Sequence, residues 1–144
     1  MGTGLRINPY LNFDGTTEAA FEFYRSVFGG EYIQVERYGN MPGTEGTVPA
    51  AEVNRIMHIS LPVGGGTVLM GSDISPSRGH VLSQGNNVLL SLHPETVDEG
   101  ERLFTALSDG GRVDMPFAKM FWGAWYGAFT DRFGIRWMIN VAQA

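Results

Sequence analysis

The chain has 144 residues, a formal net charge of -5 and no cysteine. This length predicts a single domain whose core is large enough to need neither a disulfide nor a structural metal. The absence of cysteine excludes disulfide scaffolds, thiolate zinc sites, iron–sulfur clusters and a cysteine nucleophile. Nine of the ten basic residues are arginines scattered singly along the chain, which argues against a nucleic-acid partner.

No apolar run approaches the roughly 20 residues that a membrane span requires, so no membrane partner is expected. The N-terminal residues lack the charged and then apolar pattern of a signal peptide, which favours a cytoplasmic protein. Glycine is unusually frequent, at 20 residues. Because glycine is typical of tight turns, this content predicts many turns between short elements.

The first half of the chain predicts a strand, a helix and three more strands. The first strand covers Leu5–Phe13 and ends at the turn pair Asp14-Gly15. The helix covers Thr17–Phe28, where apolar residues recur at spacings of three and four, and Gly29-Gly30 ends it. The three following strands cover Glu31–Tyr38, Arg55–Val63 and Thr67–Ser72.

The second half repeats this order. A strand over Val88–Leu92 precedes a helix over Thr96–Ser108, which opens with a capping box and ends before Gly110-Gly111. Strands follow around Arg112–Met115, Trp125–Thr130 and Ile135–Val141. We interpret this pattern as a duplicated βαβββ unit, with one module at about 5–73 and the other at about 86–142. Two Gly-, Pro- and Ser-rich loops, 39–51 and 73–85, are either functional segments or plain surface connections.

Side-chain alternation divides the predicted strands into an apolar face and a mixed face. The apolar sets are Ile7, Pro9, Leu11 and Phe13; Val88, Leu90 and Leu92; and Trp137, Ile139 and Val141. The mixed sets are Asn8, Tyr10 and Asn12; Ile56, His58 and Ser60; Val68, Met70 and Ser72; Asn87, Leu89, Ser91 and His93; and Arg136, Met138 and Asn140. We expect the apolar sets beneath the helices and the mixed sets in a cleft or dimer interface. A concave surface with apolar walls and a few polar groups suits a small molecule.

Four other features carry chemistry, each with an alternative interpretation. His58 is placed for proton transfer or hydrogen bonding, or is a satisfied histidine in a polar patch. The segment 117–126 holds five aromatic residues, among them Trp122, which could stack on a planar ligand; a core stripe or subunit interface is the favoured alternative. Arg37 and Arg136 could each bind an anion, although surface charge is the expected role of both.

Residues 8–15 (NPYLNFDG) and 131–140 (DRFGIRWMIN) resemble PhnB-like proteins of the vicinal oxygen chelate superfamily, which includes glyoxalase I, bleomycin-resistance proteins and extradiol dioxygenases. The resemblance extends over nearly the whole chain. It implies an α+β fold in which two βαβββ modules form a half-barrel sheet with the helices outside. It also implies a homodimer.

The resemblance further implies where a divalent metal would bind, with one ligand from each of four strands. The matching positions here are Asn8, Met70, Asn87 and Met138. Two amides and two thioethers supply neither a negative charge nor an imidazole, so they suit the usual divalent ions poorly. We therefore expect no metal and no other cofactor.

Three functions follow from these patterns. The favoured one is metal-independent binding of a small molecule in a β-sheet cleft. Its binding residues are predicted to be Asn8, Tyr10, His58, Met70, Asn87, Trp122 and Met138. The alternative is a metal-dependent lyase, isomerase or dioxygenase that uses His58 with Glu36 or Glu52. A third is an interaction role for the aromatic segment 117–126. The sequence identifies no ligand and does not decide whether the protein is an enzyme.

Overall fold

A computed structural model describes residues 4–142 of the chain. The chain forms two compact units, and the division falls between Ser83 and Gln84. Each unit contains one four-stranded sheet and one α-helix. Within residues 4–142, neither helix has the length and apolar character needed to cross a membrane.

The first unit contains β1, α1, β2, β3 and β4 in chain order. Their bounds are Tyr10–Phe13, Thr17–Phe28, Gln34–Arg37, Ile56–Gly64 and Thr67–Asp73. The strand order in this first sheet is β1-β4-β3-β2. The β1–β4 pair is parallel, whereas β4–β3 and β3–β2 are antiparallel. Two short 3₁₀ helices lie in the loops, at Tyr38–Asn40 and Pro76–Arg78.

The second unit contains β5, α2, β6, β7 and β8. Their bounds are Leu90–Leu92, Val97–Ser108, Arg112–Lys119, Trp125–Thr130 and Arg136–Val141. The strand order in this second sheet is β5-β8-β7-β6, again with one parallel pair and two antiparallel pairs. The two units thus share one order of elements and one sheet topology, which confirms the α+β fold of two βαβββ modules.

The buried carboxylate of Asp73 fastens the start of α1 to the sheet. Its Oδ1 accepts hydrogen bonds from the Gly15 and Thr17 backbone amides, at 2.9 and 3.1 Å, and from the Thr17 hydroxyl at 2.6 Å. Its Oδ2 accepts from the Ile56 amide at 2.8 Å. Thr16, the N-cap residue, makes no side-chain capping bond. A carboxylate from the end of β4 therefore takes the capping role and complements the helix dipole.

The second unit uses local capping and close packing instead. The Thr96 hydroxyl accepts a hydrogen bond from the Glu99 amide at 3.1 Å, which is half of the predicted capping box. A Cβ added at Gly127 would lie 2.7 Å from Phe104 Cε2, so only glycine lets α2 approach β7 this closely. Phe104 in turn packs edge-on against the fully buried Phe129, with 5.1 Å between ring centroids.

The first strand is shorter than predicted. Strand structure begins at Tyr10 rather than Leu5, and Leu5 and Ile7 are 80% and 89% exposed. Proline has no backbone N–H, so Pro9 cannot extend the ladder as a donor, although its carbonyl still accepts from the Met70 amide at 3.0 Å. The prediction that Ile7 lies beneath the helix is wrong. The same prediction for Val88 in the second unit is also wrong, because Val88 is 70% exposed and lies outside β5.

A β-bulge changes the predicted face of Ile56. Glu36 pairs with His58, but the next residue, Arg37, pairs with Ile56, so Met57 is the extra residue. The shift moves Ile56 to the helix-facing side, where it is 1% exposed. Its predicted place on the mixed face is therefore wrong, whereas His58 and Ser60, beyond the bulge, keep the predicted alternation.

We expect the Asp73→Asn variant to lose about 2 kcal/mol or more of unfolding free energy, because the –NH2 group that replaces one carboxylate oxygen cannot accept the hydrogen bond from the buried Ile56 amide. Urea denaturation followed by circular dichroism measures the change. The matched variant Asp14→Asn removes an exposed ion pair with Arg55 and should cost less than about 1 kcal/mol. Equal effects of the two variants would contradict the anchoring role of Asp73.

Gly127→Ala should destabilise the protein by about 1–3 kcal/mol, because the added methyl group would overlap Phe104 and the backbone of Phe117. The control is Gly85→Ala, whose Cβ would lie no closer than 3.6 Å to its nearest neighbour. This control should change stability by no more than about 0.5 kcal/mol. Thermal unfolding of both variants measures the two changes. A Gly127→Ala variant as stable as the unchanged protein would contradict the close approach of α2 to β7.

Candidate functional site

The side of the first sheet opposite α1 carries three of the seven predicted binding residues. A Cβ at Gly71 would lie 2.7 Å from Phe21 Cε1, so Gly71 faces the helix. Its neighbours Met70 and Ser72 therefore point to the other side. We call this side the first-sheet face; it comprises Tyr10, Asn12, His58, Ser60, Met70 and Ser72. Met70 lies at its centre, paired with Tyr10 on β1 and with Ser60 on β3.

Tyr10 and His58 form the polar pair of the first-sheet face. The Tyr10 hydroxyl oxygen lies 3.3 Å from His58 Nδ1, and the two ring centroids are 5.7 Å apart. Tyr10 is 45% exposed and His58 is half-buried. Which partner donates depends on the imidazole tautomer, so the pair can present either a donor or an acceptor. This arrangement can bind a polar group or move a proton.

Two further contacts organise the same face. The Ser72 hydroxyl donates to Asn12 Oδ1 at 3.3 Å, and both Ser60 and Ser72 are buried. Asn8 Oδ1 accepts from the Val68 backbone amide at 3.0 Å, in the position that a strand carbonyl would occupy. The amide oxygen of Asn8 therefore already serves the sheet, while the half-buried thioether of Met70 adds apolar surface next to Tyr10.

On the second sheet, alternation separates Gly127, Phe129 and Ile139, which pack toward α2, from the residues of the opposite side. We call that side the second-sheet face; it comprises Tyr126, Ala128, Thr130, Arg136, Met138 and Asn140. Met138 pairs with Ser91 on β5 and with Ala128 on β7, and it is half-buried. This placement is the one that alternation predicted for Met138.

The other two predicted binding residues of this unit lie outside the strands. Asn87 is exposed and precedes β5. Trp122 lies in the turn between β6 and β7, where it is 57% exposed and packs edge-on against the 98% exposed Phe121. By contrast, Phe117 stacks on Phe104, and Trp125 lies tilted against Phe117. The aromatic segment is therefore divided between packing under α2 and an exposed turn.

The positions matched to the superfamily's metal ligands fit a divalent ion poorly. In the first unit they are Asn8, whose Oδ1 is already hydrogen-bonded, and Met70, an uncharged thioether. In the second they are Asn87 and Met138. Hard divalent ions prefer carboxylate, imidazole and water ligands. Over residues 4–142, no group of three or more histidines, aspartates or glutamates is arranged to bind a metal ion.

The carboxylates considered for an unusual metal site have different surroundings. Glu36 lies opposite His58 in the β2–β3 register. Glu52 is buried, and its carboxylate accepts from the Ser75 and Ser77 hydroxyls at 2.6 and 2.9 Å. The hydrogen bond from Ser75, followed by those from Ser77, lowers the pKa of Glu52 below its ordinary value. Glu52 thus joins two loops.

Arg37 and the two other histidines of the chain also have partners. Arg37 forms a two-nitrogen ion pair with Glu18, as its expected surface role implies. His80 and His93 are both exposed; His80 Nδ1 accepts from the Ser75 amide, and His93 Nε2 lies 2.9 Å from the Ser91 hydroxyl.

Sequence reasoning missed a charged cluster beside Arg136. Asp114 accepts from Arg112 Nε at 2.7 Å and from the Thr130 hydroxyl at 2.9 Å. Arg112, above all, lowers the pKa of Asp114, and the charge of Arg136 adds to the effect. Thr130 pairs with Arg112 on one side and with Arg136 on the other. The only signal in the sequence was the Arg112-x-Asp114 spacing. Arg136 joins this cluster through the pairing of β7 with β8, which no local pattern reveals.

Comparison with known proteins gives consistent results. The chain is 31% identical to Protein YjdN of Escherichia coli (strain K12) over 144 residues, covering 95% of each chain. It is 39% identical to the solved structure of protein PA1353 from Pseudomonas aeruginosa, with a TM-score of 0.84 and coverage of 98% and 100% of the two chains.

A third similarity concerns the fold alone. A Bacillus cereus structure described as a putative 3-demethylubiquinone-9 3-methyltransferase, PhnB protein, is 24% identical, with a TM-score of 0.76 and coverage of 96% and 100%. The sequence model of the Glyoxalase/Bleomycin resistance protein/Dioxygenase superfamily matches residues 6–139. With this match, the repeated βαβββ topology and the relatives above, the chain belongs to the Glyoxalase/Bleomycin resistance protein/Dioxygenase superfamily.

Proposed function

We propose that this protein binds a small organic molecule on its first-sheet face without a metal ion. The observation that supports it most directly is the hydrogen-bonded pair of Tyr10 and His58 next to the thioether of Met70. Small-molecule sites combine apolar surface with a few polar groups that fix orientation. The first-sheet face has this composition, and its aromatic ring is 45% exposed.

The polar groups of this face favour a ligand with both a ring and a hydrogen-bonding group. Tyr10 offers a ring face for stacking, and its hydroxyl shares one hydrogen bond with His58. The Ser72 hydroxyl and Asn12 amide add a second polar point. A planar heteroaromatic compound matches these features. Metal independence is supported by the donor chemistry of Asn8 and Met70.

A cytoplasmic homodimer is part of the same proposal. The edge strand β6 supports it, because Val113 and Met115 are 48% and 45% exposed there. An edge strand with exposed apolar side chains favours pairing with another chain. Asn87, Met138 and Trp122 stay predicted contributors to binding on the second unit.

A metal-dependent enzyme is the second candidate. The specific observation in its favour is that Glu36 lies opposite His58, which brings one carboxylate and one imidazole to neighbouring strands. Two protein ligands leave several coordination positions for water or substrate, as a metal-assisted reaction requires. Metal analysis of protein purified without chelators separates the candidates: stoichiometric zinc, nickel, manganese or iron, lost in a His58→Gln variant, would favour this one.

The binding proposal is tested with a library of planar heteroaromatic fragments, using the Met70 methyl resonance as the reporter. A Met70→Leu variant assigns that resonance. We expect at least one fragment to shift it saturably and to raise the melting temperature, because a ligand that binds only the folded state stabilises it. In His58→Gln and Tyr10→Phe the affinity should fall about tenfold, as expected for loss of one polar contact.

The control for these variants is His93→Gln, which changes an exposed histidine of the second unit and should leave the affinity unchanged. Binding that survives treatment with EDTA supports metal independence, and binding abolished by EDTA overturns it. The proposal fails if no fragment shifts the Met70 resonance, or if the fragments that do so bind His58→Gln and Tyr10→Phe as tightly as the unchanged protein.

A further inference from the structure

Arg136 differs from the other arginines of residues 4–142. Six of these arginines form ion pairs with carboxylates: Arg25, Arg37, Arg55, Arg102, Arg112 and Arg132. Of the remaining three, Arg6 and Arg78 are exposed, whereas Arg136 is half-buried. Arg136 is thus the only arginine in this part of the chain that is partly removed from solvent without an ion-pair partner.

One edge of the Arg136 guanidinium has no protein partner. Nη1 donates to the carbonyl oxygen of Asn86, which fixes the orientation of the group. Nε is inaccessible to solvent and has no hydrogen-bond partner among residues 4–142. Nη2 donates to no residue in this range either. The Nε–Nη2 edge is the one that binds a carboxylate or phosphate through two parallel N–H···O bonds.

The charges around Arg136 leave an excess of positive charge. The second-sheet face and its edge bring together Arg112, Asp114, Thr130 and Arg136. Both oxygens of Asp114 already accept hydrogen bonds, one from Arg112 and the other from Thr130. Two guanidinium groups therefore share one carboxylate. A partly desolvated cation whose nearby carboxylate is already hydrogen-bonded to another arginine gains stability when a further anionic partner is supplied.

We propose that Arg136 anchors the oxyanion group, a carboxylate or a phosphate, of a small-molecule ligand on the second-sheet face. The ligand's two oxygens accept from Nε and Nη2 while Asn86 holds Nη1. Because Nε is inaccessible to solvent in the unliganded protein, binding through both nitrogens requires a small movement of the Arg136 side chain. The inference goes beyond the proposed function, since it depends on the second unit alone and on none of the residues of the first-sheet face.

The test follows the ¹⁵N–¹H resonance of Arg136 Nε, assigned by its loss in Arg136→Gln. Inorganic phosphate and acetate are titrated separately against the unchanged protein, with chloride at equal ionic strength as the reference. We expect at least one oxyanion to shift this resonance saturably. The two arms distinguish a phosphate site from a carboxylate site. A shift that chloride reproduces, or none with either oxyanion, overturns the proposal.

Affinity and stability of the variants supply the second readout. Arg136→Lys keeps the charge but loses the two-nitrogen edge, so its oxyanion affinity should fall about tenfold or more. Arg136→Gln should abolish binding. The matched control Arg6→Gln also removes a guanidinium that donates to a backbone carbonyl, that of Gly66, and should leave binding unchanged.

An oxyanion that binds only the folded protein should raise the melting temperature of the unchanged protein, relative to chloride, and leave that of Arg136→Gln unchanged. Equal stabilisation of both proteins would overturn the proposal. Failure of the fragment experiment on the first-sheet face leaves this result unaffected, so the two proposals fail separately.

Discussion

Each unit of this protein packs one helix against a four-stranded sheet, and this constraint shapes everything else. One helix can cover only one face of its sheet, and alternation along the strands sends every second side chain to the other face. In the first unit the helix-facing set includes the buried Leu69 and Ile59, and the opposite set includes Met70 and Ser60. The candidate binding residues are therefore a direct consequence of how the core is built.

The close approach of helix and sheet depends on a few particular residues. Gly71 and Gly127 each leave room for an aromatic ring of the helix, Phe21 in one unit and Phe104 in the other. Buried carboxylates then complete the backbone hydrogen bonding where strands and turns end. Asp73 serves the start of α1, and Asp131 accepts from two turn amides and from the Trp137 indole. The faces opposite the helices rest on this rigid framework.

The polar groups on these two faces determine which ligands the fold can bind in this chain. Asn8 and Met70, the positions that the resemblance assigns to metal ligands, carry neither a negative charge nor an imidazole, and the Asn8 oxygen accepts from the Val68 amide. Tyr10 with His58, and separately Arg136, offer hydrogen bonding and positive charge instead. Both proposals follow from these contacts, each within its own unit.

Local patterns in the sequence determined much of this protein. Apolar spacing and glycine stops predicted α1 with both bounds correct, and strand alternation placed Met70, Ser72, Met138 and Asn140 on the proper faces. These features were predictable because helix periodicity and strand alternation depend on neighbours only a few residues away. The resemblance of residues 8–15 and 131–140 to PhnB-like proteins agreed with the fold and the superfamily.

Other features were decided only by the tertiary structure, because they depend on strands that are distant in sequence. The bulge at Met57 turned Ile56 toward the helix, and a bulge is a property of the β2–β3 pair rather than of either strand. The capping of α1 by Asp73 joins residues 56 positions apart. Likewise, Arg37 forms an ion pair with Glu18, whereas the half-buried Arg136 has no ion-pair partner among residues 4–142. This contrast arises from packing and strand register, which the composition does not contain.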